Sequence, residues 1–118
     1  MPLTLYHNPR CSKSRATLEL IRAAGLSPRI VAYLDDPPDA KRIQALARML
    51  GMPVAGLLRR GEAAYREARD RPDEADDAAL ADWLARHPRV IERPIVVDES
   101  RRLAVIGRPP ENVRALLP

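Results

Sequence analysis

The chain predicts an α/β fold, in which a small mixed sheet is interrupted along the sequence by a run of helices. Strand, helix and strand patterns follow one another in residues 3–34, and two strand patterns followed by a helix occupy the last 25 or so residues. The segment between them shows helical spacing only. We therefore expect one α/β domain over residues 1–118, built as βαβ and then ββα, with a helical insertion at about 39–87.

The first βαβ unit is indicated by apolar runs and a helical stripe. Residues 3–6 and 29–34 are apolar and typical of buried strands. Between them, Leu18 and Ile21 lie on one face of a helix over 12–24, which Gly25 is expected to end. Because a helix joins the two strands, they are expected to be parallel.

The insertion is predicted to contain several helices. Asp39 is a candidate cap for a helix with apolar residues at amphipathic spacing up to position 50, which Gly51 ends. One or two short turns over 54–58 follow, and then a helix over 62–69 with Tyr65 facing inward. The acidic segment 70–77 is expected to be a solvated loop or helix start without a chemical role.

A further helix in the insertion is centred on Trp83, which we expect to be a core residue. It is predicted to end near His87, whose imidazole would interact with the negative end of the helix dipole.

The β pattern returns in residues 94–98 and 101–106, with Glu99-Ser100 as the hairpin turn and a helix after Pro110. A thiol at the first helix and a proline at the start of the third strand resemble the thioredoxin arrangement. That resemblance implies a cis Arg93–Pro94 bond close to Cys11.

Composition narrows the class of protein. The net charge of +4 comes from arginine, since only two of the 20 basic residues are lysine. Arginine-rich coding explains this, or some guanidinium groups bind an oxyanion. Acidic residues are interspersed, so nucleic-acid binding is not expected. With one cysteine and no apolar stretch of membrane length, we expect no internal disulfide, no membrane association and a cytoplasmic location.

Cys11 is the strongest candidate for a catalytic residue. It lies where the first strand turns into the first helix, among Arg10, Lys13 and Arg15. A helix N-terminus favours negative charge, and the thiolate is the nucleophilic form of cysteine. Ser14 completes a C-x-x-S pattern and has a hydroxyl that could donate to the sulfur. The alternative is a small buried residue without chemistry.

Three arginines stand at positions that favour a role in the site. Arg93 precedes the special proline, and Arg108 lies at the turn between the last strand and the last helix. Arg59 follows an apolar run in the insertion, and neighbouring Arg60 competes with it. His7, four residues before the thiol, either supports the thiolate or simply ends the strand. No spacing of His and Cys typical of a metal site is present, so no metal is expected.

The segment Tyr6-His7-Asn8-Pro9-Arg10-Cys11-Ser12-Lys13-Ser14-Arg15 closely resembles the active site of the ArsC family, the glutaredoxin-coupled arsenate reductases. The resemblance continues in 33–38, 57–59, 87–88, 92–97 and 106–111. It implies a thioredoxin-like fold with a helical insertion. By motif match, it assigns the nucleophile to Cys11 and the oxyanion-binding residues to Arg59, Arg93 and Arg108, and it places His7 near the thiolate. Ser14, from the C-x-x-S pattern, and Pro94, from the thioredoxin arrangement, are further supporting candidates.

The resemblance also implies a reaction and its partners. The thiolate would attack arsenate, and the covalent adduct would be resolved by glutathione as co-substrate and by glutaredoxin, because the chain has no second cysteine. No bound cofactor is implied. Two alternatives remain: a glutathione-dependent thiol-disulfide oxidoreductase with another substrate, and a non-enzymatic regulator like the related Spx proteins, which usually carry C-x-x-C.

Overall fold

The computed structural model describes residues 2–118, which form two compact units. The sheet unit comprises residues 2–33 and 93–118, and the helical unit comprises Leu34–Glu92. The helical unit spans the predicted insertion of 39–87 with a few residues added at each end. The grouping of the whole chain as one domain stays a prediction.

The sheet unit contains four strands: β1 (Leu3–His7), β2 (Arg29–Ala32), β3 (Ile95–Asp98) and β4 (Leu103–Ile106). Their order in the sheet is β2-β1-β3-β4. As predicted, β1 and β2 are parallel, whereas β3 runs antiparallel to both β1 and β4. Since Tyr6 pairs with Ile95, the C-terminal end of β1 and the N-terminal end of β3 lie side by side at one end of the two central strands.

Helix α1 (Ser12–Ala23) joins β1 to β2, and a 3-10 helix (Pro110–Leu116) follows β4. The predicted stop at Gly25 is confirmed, because this glycine has a φ of 81°, a conformation that costs other residues energy. The last element was predicted as an ordinary helix and is instead 3-10. The core of the unit consists of Leu3, Leu5, Leu18, Ile21, Val96, Val113 and Leu116.

The β3–β4 hairpin is shorter than predicted, because its turn occupies 99–102 and Arg102 has a φ of 55°. The side chain of Asp98 is buried and accepts from Ser100 and from Nε of Arg101 at 2.6 Å. The hydrogen bond from Arg101 holds the pKa of the Asp98 carboxyl well below its usual range. Arg101 also donates from Nη2 to the carbonyl oxygen of Leu116 at 2.9 Å, which ties the hairpin to the 3-10 helix.

The helical unit contains α2 (Ala40–Leu50), a 3-10 turn (Val54–Leu57), α3 (Ala63–Arg66), α4 (Asp77–Arg86) and a 3-10 turn (Pro88–Val90). The predicted caps of α2 are confirmed. Asp39 accepts from the backbone N–H of Arg42 at 2.8 Å, and Gly51 adopts the left-handed conformation with φ 70°.

The helix predicted over 62–69 was too long, since α3 is a single turn. The acidic segment 70–77 also has a structural role that was not predicted. Asp70 accepts from the indole N–H of the fully buried Trp83 at 3.0 Å, and Glu74 accepts from the Tyr65 hydroxyl at 2.6 Å. The pKa of each carboxyl is lowered, chiefly by these hydrogen bonds.

Trp83 is a core residue, as predicted, and its ring stacks on His87 with a centroid distance of 4.1 Å. His87 is the C-cap of α4, and its Nδ1 lies 2.8 Å from the carbonyl oxygen of Trp83. The predicted interaction of this imidazole with the helix end is therefore confirmed. None of the helices within residues 2–118 has both the length and the apolar character that crossing a bilayer requires.

Candidate active site

Cys11 is the N-cap residue of α1, directly after the turn that leaves β1. Its backbone N–H donates to the carbonyl oxygen of Asn8 at 3.0 Å, and its own carbonyl accepts from Arg15 at 3.0 Å. No side chain caps this helix end. The first N–H groups of α1 therefore remain available to stabilise negative charge next to the sulfur. The thiol is 9% exposed, so it is shielded without being sealed.

Arg108 is the cation in contact with the sulfur. Its Nη2 lies 3.5 Å from Sγ of Cys11, and its Nε donates to the backbone carbonyl of Arg93 at 2.7 Å. The two contacts use different nitrogens of one planar guanidinium group, so the carbonyl orients the group that reaches the thiol. A guanidinium at this position stabilises negative charge on the sulfur.

Arg93 and Pro94 directly precede β3, whose first residue, Ile95, pairs with Tyr6 near the end of β1. The Arg93–Pro94 peptide bond is cis, which confirms that prediction, and Arg108–Pro109 is a second cis bond that was not predicted. The carbonyl of Arg93 joins the Cys11 site through Arg108. The sequence predicts a role for the Arg93 guanidinium in oxyanion binding. The role of the Arg93 carbonyl in holding Arg108 was not predicted, since a backbone acceptor has no residue-type pattern.

Ser14 is fully buried and faces the loop that precedes Cys11. Its Oγ accepts from the backbone N–H of Asn8 at 3.1 Å and lies 2.6 Å from Nδ1 of His7. In residues 2–118 its hydrogen bonds go to these two residues and not to the sulfur. The expected donation from Ser14 to Cys11 is therefore absent, because the hydroxyl is directed at the end of β1. Ser14 holds the loop instead.

His7 is the last residue of β1, and its side chain is buried. Burial lowers its pKa below the usual 6.5, and the positive charges of Arg22 and Arg15 lower it further. The imidazole is therefore neutral at neutral pH. It fits the form with hydrogen on Nε2, which leaves Nδ1 to accept from the Ser14 hydroxyl. His7 thus adds no positive charge near the thiol and instead belongs to the hydrogen-bonded loop.

Arg59 lies in the helical unit, after the 3-10 turn Val54–Leu57. It is ion-paired with Glu62 at 3.0 Å and with Glu92 at 3.5 Å, and its side chain is 22% exposed. Arg60 is more exposed and pairs with Glu74 instead. Both candidate arginines of this segment are therefore engaged with carboxylates, and their part in a site with Cys11 stays a prediction.

A cysteine at a helix N-terminus, a cis-proline directly before β3 and a strand order of β2-β1-β3-β4 define a thioredoxin-like protein with one thiol in its site. The sequence matches the profile of the ArsC family over residues 6–116, and the chain belongs to that family.

Individual relatives agree with this assignment. An arsenate reductase of Neisseria meningitidis is 41% identical over 98% of this chain and 97% of its own length. The uncharacterized protein YfgD of Escherichia coli is 44% identical over 92% of this chain and 91% of its own length. The solved structure of an arsenate reductase from Vibrio cholerae superposes with a TM-score of 0.90 at 40% identity, covering 99% of this chain and 98% of that one.

Proposed function

We propose that this chain is an arsenate reductase in which Cys11 is the nucleophile. The observation that carries the proposal is the contact between Nη2 of Arg108 and Sγ of Cys11 at 3.5 Å, in a family whose relatives are named arsenate reductases. Arsenate and a thiolate are both negative and repel each other, so a guanidinium beside the sulfur supports their approach. The uncapped first turn of α1 adds hydrogen-bond donors for the same anion.

The reaction begins with attack of the Cys11 thiolate on arsenic. A sulfur–arsenic bond forms, and one oxygen of arsenate leaves as water once it is protonated. Arg108, Arg93 and Arg59 hold the remaining oxygens, because planar guanidinium groups match the geometry of an oxyanion. The assignment of Arg93 and Arg59 comes from the family motif.

A second thiol must complete the reduction. Cys11 is the chain's single cysteine, so the chain cannot form an internal disulfide. We propose that glutathione attacks the adduct and that glutaredoxin reduces the resulting mixed species, releasing arsenite. Overall, arsenate and two thiols give arsenite, one disulfide and water, so arsenic gains the two electrons that the thiols lose. A reducing compartment such as the cytoplasm supplies these partners.

The test is a coupled assay with arsenate, glutathione and glutaredoxin. The wild type should produce arsenite at neutral pH. Cys11→Ser should abolish turnover, because a serine hydroxyl is not ionised at neutral pH and is a poor nucleophile. Ser12→Ala, which removes an exposed hydroxyl one residue away, is the matched control and should stay within about twofold of the wild type.

Three outcomes would contradict the proposal. One is a wild type that makes no arsenite under these conditions. Another is faster reduction of a glutathione mixed disulfide than of arsenate, which would favour a thiol-disulfide oxidoreductase. The third is capture of RNA polymerase together with a phenotype that Arg93→Ala does not change, which would favour an Spx-like regulator.

A further inference from the structure

The backbone directly before Arg108, at Gly107, is tightly packed against its neighbours. Gly107 donates its N–H to the carbonyl of Pro94 at 2.9 Å. A β-carbon at position 107 would lie 2.5 Å from Oγ1 of Thr17 and 2.8 Å from Cγ of Pro94. The hydroxyl of Thr17 donates to the carbonyl of Lys13 in the first turns of α1. The turn that carries Arg108 is therefore packed directly on the helix that Cys11 begins.

The other side of this turn is held by one side chain, that of Asn112. Its amide nitrogen donates both hydrogens, one to the carbonyl of Ile106 and one to the carbonyl of Arg108, each at 3.1 Å. These two carbonyls belong to the residues on either side of Gly107. Because both neighbours are acceptors, the two hydrogens of the Asn112 NH₂ group satisfy them together.

We infer that Asn112 is a positioning residue for the Cys11 site. It fixes the backbone of 106–108, and that backbone sets the point from which the Arg108 side chain extends to the sulfur. Asn112 itself is exposed and has no hydrogen bond to Cys11 among the contacts of residues 2–118. Its proposed effect on the sulfur is transmitted through the backbone of 106–108 and the Arg108 side chain. Its meaning for turnover rests on the proposed arsenate reduction.

The flexibility of arginine gives the reason that such a residue is needed. A long arginine side chain loses rotamer entropy when it is ordered, so its contact with a fixed atom is favoured by support at its base and near its tip. The Arg93 carbonyl holds Nε, which is the support near the tip. Asn112 supplies the support at the base, where the Arg108 carbonyl accepts from it.

The test measures the rate of Cys11 alkylation by iodoacetamide against pH in the full chain. Asn112→Ala should raise the pH midpoint of alkylation, because Arg108 would contact the sulfur for a smaller fraction of the time. In the arsenate assay, kcat/KM should fall by about 3- to 20-fold, the range expected from two exposed hydrogen bonds. Asn112→Leu is nearly isosteric and lacks donors, so it should behave in the same way.

A merely structural role is separated by combining the variants. In an Arg108→Ala background, Asn112→Ala should shift the alkylation midpoint no further, since the group it positions is gone. Arg114→Ala, which removes another exposed side chain from the same 3-10 helix, should leave the midpoint unchanged.

Equal effects of Asn112→Ala with and without Arg108 would overturn the inference, as would equal effects of Asn112→Ala and Arg114→Ala. The alkylation assay contains no arsenate, so it decides the role of Asn112 even for a chain that fails to reduce arsenate.

Discussion

The family motif assigns Arg108 and Arg59 to the same oxyanion, but the two side chains have very different partners in their respective units. In the sheet unit, Arg108 contacts a backbone carbonyl and the sulfur of Cys11. In the helical unit, Arg59 contacts the carboxylates of Glu62 and Glu92. A carbonyl orients a guanidinium group and leaves its charge in place. A carboxylate orients the group and also neutralises its charge.

The two arginines therefore start from different positions in the proposed reaction. Arg108 already contacts the sulfur, so its charge is in place to stabilise the thiolate and the proposed transition state. In the proposed reaction, Arg59 would exchange a carboxylate for the oxyanion, and the lost ion pair would offset part of the gain. The two arginines should therefore contribute unequally to catalysis.

The largest expected effect belongs to Arg108. Arg108→Ala should reduce kcat/KM for arsenate by about 100- to 1,000-fold, the range seen when one preorganised oxyanion donor is removed. Arg108→Lys retains the charge but cannot contact the carbonyl and the sulfur with two nitrogens of one plane, so it should remain well below the wild type. Steady-state rates with glutathione and glutaredoxin in excess provide the measurement.

The lysine variant decides between charge and geometry. Wild-type activity in Arg108→Lys would show that positive charge alone is sufficient. Loss of activity in Arg114→Ala, an exposed arginine outside the site, would show that the assay responds to general destabilisation.

A smaller effect is expected at Arg59. Arg59→Ala should lower kcat/KM for arsenate by about tenfold, less than the loss of a preorganised oxyanion donor, because the side chain is already paired. Glu62→Gln removes one of the two competing carboxylate charges and should lower the KM for arsenate. Arg60→Ala is the matched control and should leave both parameters unchanged. A larger loss in Arg60→Ala than in Arg59→Ala would reverse the assignment.

The smallest effect concerns the stability of the sheet unit against pH. The folded state lowers the pKa of His7 below its usual 6.5, so the unfolded chain binds this proton more readily. Stability due to neutral His7 is complete above pH 6.5 and decreases as the pH falls from 6.5 through the lowered pKa.

This pH dependence is checked with urea unfolding of the wild type and of His7→Asn, whose amide oxygen can still accept from Ser14. The free energy of unfolding should fall more steeply with decreasing pH in the wild type. Equal slopes for the two proteins would show that the burial of His7 does not govern this dependence.

Local patterns in the sequence were sufficient for much of the fold. The two parallel strands, the cap at Asp39 and the left-handed Gly51 follow from short-range chemistry and are all observed. The segment after Glu62 was misread because its spacing fits a helix, whereas α3 ends after one turn. The acidic segment is the predicted solvated loop and helix start, but its hydrogen bonds were not predicted, because the partners of Asp70 and Glu74 lie outside the segment and carry no periodic pattern.

The site was predicted in part for the same reason. Residue type and position indicated Cys11 and Arg108, and the structure brings them into contact. The direction of the Ser14 hydroxyl depends on the path of the preceding loop, which a C-x-x-S pattern does not determine. The role of Asn112 was not predicted, because asparagine is common near the start of a helix. Its hydrogen bonds to the carbonyls of Ile106 and Arg108 involve backbone acceptors, which have no residue-type pattern in the sequence.

The buried carboxylate of Asp98 has a consequence for how the C-terminal end of the chain opens. Through Arg101, the Asp98 carboxylate connects the β3–β4 turn to the carbonyl of Leu116 at the C-terminal end of the last 3-10 helix. The N-terminal part of this helix is held by the hydrogen bonds of Asn112 to Ile106 and Arg108. Amide hydrogens of this short helix should therefore exchange with solvent together with those of the hairpin. A fraying terminus and a stable sheet edge become a single cooperative segment.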